Sequence, residues 1–128
     1  MNEVRLLGNL ARDVETRVTG TGKEVATFTV AATSTYAGKD GQAVEHTAFI
    51  NCVAWGKLAE SIAQGRKGTR VFVSGRLNVR SYEAKDGGKR WVTEVVADFI
   101  AISSRTAKTF DDMGTEVARD PQQTEIPF

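Results

Sequence analysis

The stretch Phe49-Ile50-Asn51-Cys52-Val53-Ala54-Trp55-Gly56-Lys57-Leu58-Ala59-Glu60-Ser61-Ile62 decides the fold. It opens as an extended run of aromatic and β-branched residues, and at Gly56 it takes up the period of a short amphipathic helix. Leu58, Ala59 and Ile62 share one face of that helix, which the pattern predicts over residues 57–64. A strand feeding one small helix, with strand-like segments on either side, implies a small β-barrel.

Upstream, residues 3–10 read as a first strand, with Gly8 at a bulge or close approach, and residues 14–18 continue it after a bend. Residues 19–23 are a turn by composition. A second strand runs over 25–33 with Phe28, Val30 and Ala32 on one face. Residues 34–43 are polar and contain glycine, so they predict a loop before the third strand, 44–55. Past the helix, Gly65 and Gly68 bracket its end. In the fourth strand, 69–82, Val71, Val73, Gly75, Leu77 and Val79 share the inward parity, opposed by Ser74, Arg76, Asn78 and Arg80. Glycine at the inward position lets the strand coil sharply, as closure of a small barrel requires. A hairpin turn at 85–89 leads to the fifth strand, 90–103. The expected class is all-β: an OB-type, five-stranded barrel with one short helix between the third and fourth strands.

With 128 residues the chain suits one domain over 1–105 and a short, largely disordered tail over 106–128. The net charge of +1 hides an asymmetry: the tail holds two basic and five acidic residues, a balance of −3, leaving +4 on the body. Cys52 is the only cysteine, so neither an intrachain disulfide nor a thiol-based zinc site can form, which fits a reducing compartment. There is no apolar run long enough to span a membrane and no secretory pattern in residues 1–10, so a cytoplasmic or nucleoid-associated protein is expected. His46 is the only histidine, and nothing near it resembles an acid–base or nucleophilic set. An enzyme fits poorly, and no cofactor or metal is implied.

The aromatic and basic residues point elsewhere. Single-stranded nucleic acid is held by flat rings that stack on exposed bases and by cations that follow the backbone. The chain offers Tyr36 in the expected loop, Phe49 and Trp55 in the third strand, and Tyr82 and Trp91 flanking the 85–89 turn. Candidate phosphate contacts are Arg5, Lys39, Lys57, Arg70, Arg76, Arg80, Lys85 and Arg90. Arg76 and Arg80 share the polar face of one strand. Phe28, Phe72 and Phe99 read instead as core or interface aromatics, and Cys52 as a small buried side chain.

Over residues 2–103 the chain resembles the bacterial single-stranded DNA-binding protein family. The resemblance is carried by Val4-Arg5-Leu6-Leu7-Gly8-Asn9-Leu10, Asp13-Val14-Glu15, Phe28-Thr29-Val30-Ala31, Trp55-Gly56-Lys57-Leu58-Ala59-Glu60 and Val71-Phe72-Val73-Ser74-Gly75-Arg76-Leu77. It implies an OB barrel, a homotetramer, and sequence-nonspecific binding of single-stranded DNA in replication, recombination and repair. It maps the stacking aromatics onto Tyr36, Phe49, Trp55 and Tyr82. It also gives Glu125-Ile126-Pro127-Phe128 the role of a docking tip for proteins of DNA metabolism, Phe128 entering an apolar pocket. The acidic block usual before that tip is missing and the linker is short, features of a short-tailed paralogue. Two rivals share these residues: a primosome-like accessory protein on the same fold, and an RNA-binding paralogue.

Overall fold

The structure, a computed structural model, describes residues 1–103. The expected tail at 106–128 and its docking tip lie outside the described residues. In chain order the elements are β1 (Val4–Leu10), β2 (Glu15–Val18), β3 (Glu24–Ala37), β4 (Ala43–Trp55), α1 (Lys57–Ile62), β5 (Arg70–Glu83) and β6 (Lys89–Ile102). β1 pairs antiparallel with both β5 and β3, and this double pairing closes β1–β5–β6–β4–β3 into a five-stranded barrel. β2 pairs only with β3, from Glu15↔Thr27 to Val18↔Glu24, as the bent continuation of the first strand.

Alternation along each strand fills the interior: Phe28 and Val30 from β3, Cys52 and Ala54 from β4, Val71 and Val73 from β5, Val95 and Ala97 from β6. α1 adds the buried Ala59 and Ile62 to the same cluster. Each fully buried Val, Leu, Ile or Phe stabilises the fold by about 1.5–3 kcal/mol. At Gly75 the pairing of β5 with β6 shifts register, and a Cβ there would collide with the Val96 carbonyl. Gly8 is a close approach for the same reason, set against the Ala31 carbonyl.

β4 and β6 meet in parallel at Cys52↔Val95 and Val53↔Val96. Because they run the same way, the β3–β4 and β5–β6 hairpins overhang the barrel at the same end. Their turns occupy 38–42 and 84–88 and are built alike: Asp40 accepts from the Gln42 N–H at 3.0 Å, and Asp86 from the Gly88 N–H at 2.9 Å.

Three expectations need correction. Residues 34–37 are strand and not loop, since Ser34↔His46, Thr35↔Glu45 and Tyr36↔Val44 continue the ladder, and only 38–42 turn. Leu77 and Val79 have the inward parity but are exposed, because β5 outruns the barrel after Gly75. The helix stops at Ile62, and Gly65 does not end it through a left-handed conformation. It is small because Leu10 Cδ1 and Val14 Cγ2 occupy the space a Cβ would take.

Candidate nucleic-acid interface

On β4 the alternation places Phe49, Asn51, Val53 and Trp55 on the outside of the barrel, opposite Ala31, Thr29, Thr27 and Val25 of β3. On the β5–β6 hairpin the outward pairs are Arg76/Val96, Asn78/Glu94, Arg80/Val92 and Tyr82/Arg90. The two outward faces meet around a cavity of about 430 Å3 whose lining includes Trp55, Arg17, Arg76, Asn78, Arg80 and Glu94. Three arginines and one tryptophan thus share the lining of a single cavity with Val53 and Val96.

All four candidate stacking rings are on the surface: Tyr36 is 57% exposed, Phe49 66%, Trp55 45% and Tyr82 48%. The fold groups them unequally. Phe49, Trp55 and Tyr82 share the outward face, whereas Tyr36 has the opposite parity on the β3–β4 hairpin, beside Val44. Trp91 lies across from Ser81 on the other side of its hairpin, with Lys89 Nζ 6.0 Å from its ring centre.

Of the candidate cations, Arg76 and Arg80 line the cavity. Arg90 lies opposite Tyr82 and binds Asp86 at 2.9 Å. Lys85 and Lys39 stand on the two hairpin turns, and Lys57 begins α1 directly after Trp55 and Gly56. Arg5 and Arg70 are not brought to this face. They flank Leu7 and Phe72 on the β1–β5 surface, where Arg70 Nη1 donates to Asn9 Oδ1 at 3.4 Å.

The fold also brings in residues that sequence reasoning missed. Arg12 Nε donates to Thr29 Oγ1 at 3.2 Å, and Thr29 donates to Asn51 Oδ1 at 3.0 Å. This chain fixes a guanidinium on the outward face between Phe49 and Val53. Arg17 reaches the cavity from β2, opposite Val25. Arg12 fell in a bend and Arg17 in a four-residue strand, so neither carried a periodic signal, although the parity of Thr29 and Asn51 could have marked a polar stripe. Cys52 takes no part: it is 1% exposed, and burial pushes its thiol up to about 12. Phe72 and Phe99 pack edge to face at 6.2 Å on the outside of β5 and β6.

A family model described as Single-strand binding protein family matches residues 1–103, the whole described barrel. The chain belongs to the single-strand binding protein family. Among relatives, a single-stranded DNA-binding protein of Clostridium tetani is 50% identical over 100 residues, covering 77% of this chain and 67% of that protein. One from Bacillus cereus is 44% identical over 101 residues, covering 78% of this chain and 58% of its own. A crystal structure of a deletion mutant of the Thermus aquaticus single-stranded DNA binding protein superposes with a TM-score of 0.72 at 30% identity. That match covers 81% of this chain and 51% of the other. The chain thus spans only part of its relatives' length. What it shares with this single-strand binding family is the barrel that carries the outward face described above.

Proposed function

We propose that this chain binds single-stranded DNA without base-sequence preference and protects it during replication, recombination and repair. The observation that carries this is the outward face itself: Phe49, Trp55 and Tyr82 on one side of the sheet, with Arg76 and Arg80 lining the same cavity as Trp55. Rings of this kind stack on unpaired bases, which a duplex hides, while the guanidinium groups neutralise phosphates. Family membership supports the ligand class. The set acts as a binding surface in which nothing is transformed.

The unit that binds is residues 1–105, placed in the cytoplasm with the nucleoid where single strands arise. Homotetramer assembly is supported by two features of the barrel. Among the described residues, β1 pairs with β3 only at Gly8–Leu10, so its first half has β5 on one side and an edge without a strand partner on the other. Beside that edge lies an apolar outer face made by Leu7, Phe72 and Phe99. Recruitment of DNA-metabolism proteins is assigned to Glu125, Ile126, Pro127 and Phe128, on the sequence resemblance of that segment.

Titration of a fluorescent dT oligomer at low and high salt tests the function, with rU and duplex run alongside. Tight binding to dT that weakens with salt is expected. Equal affinity for duplex, or no binding to dT, would sink it, and preference for rU would favour the RNA-binding alternative. Removal of residues 126–128 should leave dT affinity unchanged while abolishing capture of partner proteins.

A further inference from the structure

A carboxylate on the floor of a surface for a polyanion works against phosphate, and Glu94 is such a group. It is 6% exposed and lines the cavity beside Trp55, whose volume of about 430 Å3 lies in the range of small-ligand sites. Its Oε2 accepts from Arg80 Nε at 3.0 Å and from Asn78 Nδ2 at 3.5 Å. Its Oε1 has no partner among the described residues and keeps some solvent access, since no fully buried side-chain polar atom there lacks a partner. Holding Arg80 needs only one of the two oxygens.

We propose that this cavity takes one base of the bound strand, and that Glu94 Oε1 accepts a hydrogen bond from its exocyclic amine. The pocket belongs to the surface proposed above for single-stranded DNA and presupposes that ligand. Trp55 supplies a flat wall, Val53 and Val96 an apolar floor, and Arg76 and Asn78 donors for the acceptor atoms of a base edge. Cytosine, adenine and guanine carry an exocyclic amine. Thymine and uracil turn a carbonyl oxygen outward in its place, so an acceptor would face an acceptor. One position of a path that otherwise stacks bases indifferently therefore favours amino-bearing bases.

The rival role for Glu94 is to orient Arg80 and nothing more, in which case its loss weakens binding to every base alike. Fluorescence titrations of the wild type and Glu94→Gln with dC and dU homopolymers of one length, at one salt concentration, separate the two. Both bases are pyrimidines, so stacking area largely cancels when the dC:dU affinity ratios of the two proteins are compared. In Glu94→Gln the amide oxygen is held by Arg80 and the amino group, a donor, takes the place of Oε1, so the ratio should fall by about threefold to tenfold. Wild-type protein should lose affinity to a similar extent on a strand of N4,N4-dimethylcytosine, which has no N–H to give, and this arm needs no variant to fold. An unchanged ratio in folded Glu94→Gln, or no loss on the dimethylated strand, overturns the base-reading pocket while single-strand binding stands. Wild type that binds neither homopolymer overturns the function itself, and the pocket with it.

Discussion

Phe49 and Trp55 lie six residues apart on one face of β4, a separation of about 20 Å along the strand. On the proposed single-strand path they meet different bases, and their contributions add. Phe49→Ala and Trp55→Ala should each cost about 1–3 kcal/mol of dT binding. Neither should change how steeply affinity falls with salt, because stacking releases no counterions. Arg76→Ala should do the reverse, flattening the slope by roughly 0.7 for the lost phosphate contact on a single strand. Titrations over several salt concentrations distinguish the two behaviours, and a fixed slope in the arginine variant removes its phosphate role. Cys52 gives a prediction of a different kind. Its thiol stays protonated to about 12 in the fold, against 9.0 as the ordinary value. Above pH 9 the unfolded chain sheds this proton while the native one keeps it, so stability should fall as pH rises through that window. The slope from this group is at most about 1.4 kcal/mol per pH unit. Urea unfolding of wild type and Cys52→Ala between pH 8 and 11 should show the steeper decline in the wild type.

At the scale of elements, the barrel was legible where a strand obeys one period and faces one environment. Phe28 and Val30, Val71 and Val73, and the change of period at Gly56 each announced their place because burial and alternation agreed. The signal weakened where β3 and β5 leave the barrel. Residues 34–37 carry a serine or threonine on each face and are exposed throughout, so composition resembled a loop although the ladder continues to Ala37↔Ala43. Leu77 and Val79 kept an inward parity with no interior left to enter. The candidate site was legible by residue type but not by grouping: Phe49, Trp55 and Tyr82 share the outward face, while Tyr36 falls on the far side of its hairpin. Arg12, Arg17 and Glu94 required pairings between strands distant in sequence. The role of Gly75 was visible in advance as the inward position without a side chain. Gly75→Ala should cost about 3 kcal/mol or more, because the clash is with Val96 backbone that the β5–β6 ladder holds in place. A thermal melt within a few degrees of wild type would mean that β6 yields at its bulge.

For the whole molecule, the outward face and the surface proposed for assembly occupy different parts of one barrel. Arg5, Leu7, Phe72 and Phe99 lie on the outer face of the β1–β5–β6 part of the sheet. Phe49, Trp55, Arg76 and Arg80 lie over β4 and the β5–β6 hairpin. Such a division allows several copies to associate while each leaves its rings open, so that one strand can pass from copy to copy. Leu7 points away from the barrel interior and is exposed in the single chain, so its replacement leaves the core untouched. Leu7→Glu should keep a melting temperature close to that of the wild-type barrel at low protein concentration, yet shift sedimentation equilibrium from the proposed tetramer towards smaller species. Its affinity for a dT strand short enough for one copy should be unchanged. Affinity for a long strand should drop, because each copy then binds alone and the gain from linked sites is lost. A Leu7→Glu protein that remains a tetramer would place the contact between copies on some other surface, with the free edge of β1 alone as the first to test.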